Sequence, residues 1–99
     1  MTGRQLLAWL DARRPLPPDA LRAHLAAAVT DADLPLPDHL ADLGREVLAR
    51  VAGQPEGGRE LALDLLAADA FITYAFEAQA EADVAGLAAL AERVAEGGP

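Results

Sequence analysis

The sequence predicts an all-α fold, a compact bundle of four to five helices with one central apolar helix at about residues 58–80. Three observations carry this. Alanine, leucine and arginine, all strong helix formers, dominate the chain. Strand signals are nearly absent, with aromatic residues at only 4%. Proline and glycine clusters cut the rest into segments of helix length. At 99 residues the chain is expected to form a single domain, residues 1–99, large enough for one hydrophobic core.

The first helix is expected over Gly3 to Arg14. Thr2 and Gln5 have capping-box spacing, in which a hydroxyl and an amide satisfy two free N–H groups. Leu6, Leu7, Trp9 and Leu10 give a broad apolar face, and Pro15, Pro17 and Pro18 end the helix. A second helix follows near Pro18 to Thr30, with Asp19 suited to its positive end and Leu21, Leu25, Ala28 and Val29 at helical spacing. The segment Leu34-Pro35-Leu36-Pro37 reads as an extended link. The third helix runs from about Pro37 to Ala52 on the stripe Leu40, Leu43, Val47, Leu48 and Val51, with Gly53 at its C-terminal cap.

Gln54-Pro55-Glu56-Gly57-Gly58 is the most flexible-looking linker. The fourth helix, near Gly58 to about Ala80, is apolar nearly all round between Leu61 and Phe76, the pattern of a central, buried helix. Continuing its register past Glu81–Asp83 rotates the apolar stripe by about a quarter turn, so a break is expected there. The fifth helix covers about Asp83 to Ala95, with Asp83 as its N-cap and Val84, Leu87, Ala91 and Val94 on one side. Residues 97–99 are expected to fray. Leu48-Ala49-Arg50-Val51-Ala52 resembles Leu90-Ala91-Glu92-Arg93-Val94-Ala95, but the match stops there, as two similar helix ends would give rather than a repeat.

Charge and composition narrow the function. The formal net charge is −8, from 16 acidic and 8 basic residues, and every basic residue is arginine. With the heavy use of alanine, that choice points to a GC-rich genome. The acidity sits mainly in the second half of the chain. An acidic domain repels phosphate backbones, so no nucleic-acid partner is expected. Asp64 and Asp69 interrupt the longest apolar run, so no membrane span is expected either, and the start carries no secretory core. The expected setting is cytoplasmic. The chain has no cysteine and no serine, and its aliphatic hydroxyls are Thr2, Thr30 and Thr73. Thiolate zinc sites and Ser-His-Asp or Cys-His chemistry are thereby excluded. No P-loop, dinucleotide fingerprint or calcium loop is found, and no cofactor is expected. Gly57-Gly58 before a helix reads as linker rather than anion cradle.

Four groups of residues remain as candidates. Asp64 and Asp69 lie in the apolar helix about 140° apart. They are expected to pair with arginines or to sit at the edge of the buried face, the alternative being that one anchors a ligand in a pocket. His39 and Asp42 are three apart, but one such pair is too few ligands for a metal site. His39 is expected at the surface or as a cap, and His24 at a helix edge. Arg4, Arg13, Arg14 and Arg22 cluster near the first two helices. They are expected to be solvated or paired within the fold, the alternative being that Arg13 and Arg14 meet an acidic partner. Finally, Trp9, Phe71, Tyr74 and Phe76 put large apolar groups on more than one face of the fourth helix, which suits either a fully wrapped helix or a helix–helix interface.

The function expected from these features is a non-catalytic interaction or oligomerisation module. It would use Phe71, Tyr74 and Phe76, with Asp69 and Asp64 nearby, to bind another copy of itself or another protein. The alternatives are a small-molecule-binding domain gated by Tyr74, and an acidic mimic that binds a basic partner.

Overall fold

In a computed structural model describing residues 1–54 and 57–96, five α-helices pack around one core, and no strand occurs among the described residues. They are α1 (Gly3–Asp11), α2 (Asp19–Ala28), α3 (Leu36–Ala52), α4 (Arg59–Ala82) and α5 (Leu87–Glu96), with a single 3-10 turn at Val84–Gly86 before α5. Pro55, Glu56 and the expected frayed tail at 97–99 lie outside the described residues, so the expected linker is described only at Gln54, Gly57 and Gly58.

The capping box forms as expected: the Gln5 N–H donates to Thr2 Oγ1 at 3.1 Å, and the Thr2 N–H donates to Gln5 Oε1 at 2.9 Å. The Gly3 N–H donates to the Asp31 carboxylate at 2.5 Å, which places negative charge at the positive end of α1 and ties it to the α2–α3 link. Helix α1 stops at Asp11, three residues short of the expected Arg14. Pro15 keeps Arg14 out of the α region, so the chain unwinds ahead of it and frees Arg13 to reach across to α4. Helix α2 ends at Ala28 rather than Thr30 because Val29 is already extended, at φ −70° and ψ 130°.

In α3 the buried stripe holds Leu40, Leu43, Val47 and Val51, whereas Leu48 is only half-buried. His39 corrects an expectation. It is 1% exposed, not at the surface, because its Nε2–H donates to the Thr30 carbonyl at 2.7 Å and closes the α2–α3 link against the core. Its Nδ1 has no partner among the described atoms.

Helix α4 has its most extensive contact with α3 and also touches α2 and α5. The crossing with α3 is close enough that a Cβ on Gly44 would lie 2.7 Å from Ile72 Cγ1 and 3.1 Å from the Ala68 carbonyl oxygen. The break after α4 falls where the register predicted it. Asp83 is extended, and its carboxylate accepts the Ala85 N–H at 3.1 Å, capping the 3-10 turn. At its other end α4 enters from Gly58, whose φ of 122° suits glycine. The core joins every helix, with Leu6 from α1, Leu25 from α2, Leu40 and Leu43 from α3, Phe71 from α4 and Leu90 from α5. Among the described residues no helix is long and apolar enough to cross a membrane.

Candidate functional site

Helix α4 has two apolar faces, and only one is spent on the core. The inner face buries Ala67, Ala68, Phe71, Ala75 and Ala78. On the outer face Leu65 and Leu66 keep 45% and 52% of their surface exposed. Asp69, Thr73 and Ala80 are also exposed there, and Phe76 is half-buried. Ala62, Leu66, Asp69, Thr73, Phe76 and Ala80 follow one another at spacings of 4, 3, 4, 3 and 4 residues. That alternation sets the six residues on one stripe of the helix, the spacing that coiled-coil seams use.

Two elements border this seam. On one side Phe76, Ala80 and Thr73 form an open apolar groove with Leu87, Ala88 and Ala91 of α5. On the other side Asp69, Thr73 and Tyr74 line a cleft of about 250 Å³ with Arg13, Arg14 and Pro15 from the α1–α2 link. The wall of that cleft is firmly built. Arg13 donates to Glu81 at 2.7 Å and to Glu77 at 3.2 Å, and its guanidinium lies 4.5 Å from the centre of the Trp9 ring. Trp9 in turn meets Tyr74 edge-on, with centroids 6.0 Å apart. Glu81 first, then Glu77, hold the Arg13 guanidinium even more firmly protonated than usual. Burial pushes the Tyr74 hydroxyl above its ordinary value, and the nearby Glu77 charge adds to that.

The candidates therefore separate. Asp69 and Tyr74 line the cleft on one side of the seam, and Phe76 lines the groove on the other. Phe71 lines neither: it is 0% exposed, at the centre of the core, so it cannot meet a partner and leaves the candidate surface. Asp64 turns the other way, its side chain 17% exposed and 3.7 Å from Arg50 and 4.0 Å from His24. His24 lies at a helix edge and bonds Glu60 at 3.0 Å. Arg13 is paired within the chain. Arg22 is paired too, with both oxygens of Asp11, at 2.9 and 2.8 Å. Arg14 is exposed at the cleft rim, donating to the Asp11 and Arg13 carbonyls. His39 and Asp42 do not share a site, since Asp42 pairs with Arg45. No group of three or more potential metal ligands gathers among the described residues.

Sequence reasoning missed Leu65 and Leu66 as surface residues. The signal was available in the alternating spacing of residues 62–80, set against the alanines about half a turn away.

The small cavity under Tyr74, lined by Leu7, Leu10, Pro17 and Leu25 among others, holds about 10 Å³, at most one water. Comparison with known proteins finds no matching family model, no matching curated protein and no matching solved structure.

Proposed function

We propose that the chain is a non-catalytic, cytoplasmic protein-interaction module that docks a helix against the outer face of α4. The supporting observation is the pair Leu65 and Leu66, large aliphatic groups that are about half exposed on a helix whose core side is already filled. Singly exposed hydrophobics such as Leu16 and Val84 are ordinary, but Leu65 and Leu66 are adjacent and continue into the apolar groove at Phe76, and a contiguous apolar patch favours a contact site. The seam spacing selects a helix as the occupant.

A small-molecule reading has less support. The cleft beside Asp69, at about 250 Å³, is smaller than ligand pockets of roughly 300–1,000 Å³. Asp64, the other expected anchor, lies on a different face. An acidic mimic needs free carboxylates along one face, and here Glu77 and Glu81 share Arg13 while Asp11 pairs with Arg22.

The test is site-directed photo-cross-linking in cells that make the protein. A photoreactive phenylalanine in place of Leu66 is expected to give an adduct of one discrete mass, and the same probe at exposed Ala8 on α1 is expected to give none. Equal labelling at both positions, or none at either, would count against the proposal.

A further inference from the structure

The outer face of α4 is complementary to itself, and we infer that its occupant is a second copy of this chain, paired antiparallel about a two-fold axis at position 71. The inference rests on the interaction-module reading and names the partner.

In an antiparallel helix pair, the two alternating seam positions face each other across the axis. Applied to this seam, each layer matches in kind. Ala62 faces Ala80 of the second copy, small against small. Leu66 faces Phe76 of the second copy, large apolar against large apolar. Asp69 faces Thr73 of the second copy, a carboxylate acceptor against a hydroxyl donor. Each match occurs twice. A hydroxyl bonded to Asp69 offsets the cost of covering a charge that is now exposed to water.

Charge selects the direction. Arg59 and Glu60 open α4, with Glu60 held by His24, while Glu81, bonded to Arg13, and Asp83 lie at its far end. Antiparallel pairing brings Arg59 of each copy to the acidic end of the other. Parallel pairing would set Asp69 on Asp69 and Glu81 on Glu81, and would align the two helix dipoles.

The area is sufficient. From Ala62 to Ala80 the seam runs about 27 Å at the helical rise. With its two borders it covers on the order of 500 Å² per copy, about 1,000 Å² in all, the lower limit for a specific interface. A dimer of micromolar affinity is expected.

Sedimentation equilibrium of the purified full chain tests this. The expected mass is twice the 10.3 kDa of one chain at tens of micromolar. Leu66→Arg is expected to weaken the dimer at least 30-fold (roughly 2 kcal/mol, as for a central interface residue) with an unchanged far-ultraviolet spectrum. Thr73→Val adds apolar surface, yet is expected to weaken the dimer about tenfold because Asp69 loses its donor. The absence of native cysteine allows one spin label at Ala82→Cys. Antiparallel copies place the two labels about 33 Å apart along the axis, and parallel copies within about 20 Å.

A short label distance, or a dimer indifferent to both substitutions, would overturn the pairing. So would a chain that stays monomeric at millimolar concentration. If that monomer still gives a Leu66 photo-adduct of some other mass in cells, self-pairing fails while the interaction-module reading stands. If there is no adduct either, both fail.

Discussion

The two faces of α4 both carry apolar residues, but they differ in the size of those residues and in the polar groups among them. The inner face carries four alanines around a single phenylalanine, Phe71. The outer face carries Leu65, Leu66 and Phe76 with Asp69 and Thr73 among them. The inner face therefore lies close to α3, at a distance where Gly44 has no room for a Cβ. The outer face leaves Leu65 and Leu66 about half exposed, while Phe76 leans partly against the core. Small residues permit the close approach of α4 to α3, with Phe71 filling the space between them.

The contrast breaks most directly at Phe71. It is the largest side chain in the core, with no exposed surface, and it fills the space that the surrounding alanines leave. Phe71→Ala removes that volume where nothing can collapse to replace it. The expected loss is about 3–5 kcal/mol, measured by urea denaturation. A loss below about 1 kcal/mol, the range of partly exposed sites, would place Phe71 outside the core.

A methyl group on the inner side tests closeness rather than volume. Gly44→Ala favours the helix by up to about 1 kcal/mol in propensity. Its Cβ would meet Ile72 at 2.7 Å, the Ala68 carbonyl oxygen at 3.1 Å and Phe71 Cβ at 3.3 Å. Ile72 is half-buried and has room to turn, but the Ala68 carbonyl belongs to the backbone of α4. The helices must part, so a net loss of about 1–2 kcal/mol is expected. A stabilised variant would show that the α3–α4 crossing is looser than the geometry requires.

The outer face should respond in the opposite way. Leu66→Arg and Leu65→Arg each place a charge where the leucine already faces water. Each is expected to change folding free energy by less than about 0.5 kcal/mol while weakening association. Salt sharpens the same point. Two chains of net charge −8 repel one another over distance. Added salt should therefore tighten self-association, with sedimentation across a salt series as the check.

The sequence made the inner face legible in outline and the outer face only in part. Helix positions followed from proline, glycine and capping residues, because those act locally. The stripe of α3 and the break at Asp83 followed from periodicity for the same reason. Phe71 could not be separated from Phe76 by composition, since both sit in one apolar run and only tertiary packing decides which is covered. His39 was misjudged because its partner, the Thr30 carbonyl, is a backbone atom of another segment that no residue identity reveals. The internal pairing of Arg13 depends on the unwinding before Pro15, which turns its side chain onto Trp9, Glu77 and Glu81. Its extent was hidden until the end of α1 was known.

The smallest expected effect lies at the N-terminal end of α4, where the charge is neither core nor seam. His24 Nδ1 donates to the Ala20 carbonyl at 3.2 Å and Nε2 to Glu60 at 3.0 Å, with Asp64 4.0 Å away. Only the imidazolium can donate through both nitrogens, so the folded chain favours the protonated ring. The Ala20 carbonyl first, then Glu60, raise its pKa above the ordinary value. The unfolded chain titrates near 6.5. The contribution of His24 is therefore fully present below about 6.5 and is lost as pH rises through the higher folded value. The denaturation midpoint should fall slightly between about pH 6 and pH 8, by an amount absent from His24→Gln. Both chains share every other titrating group, so the difference between their pH profiles isolates this side chain. The site is open to water and the effect must be small. A midpoint that rises over the same interval in the native chain alone would mean that the ring is neutral in the fold and that the link between α2 and α4 is a neutral hydrogen bond.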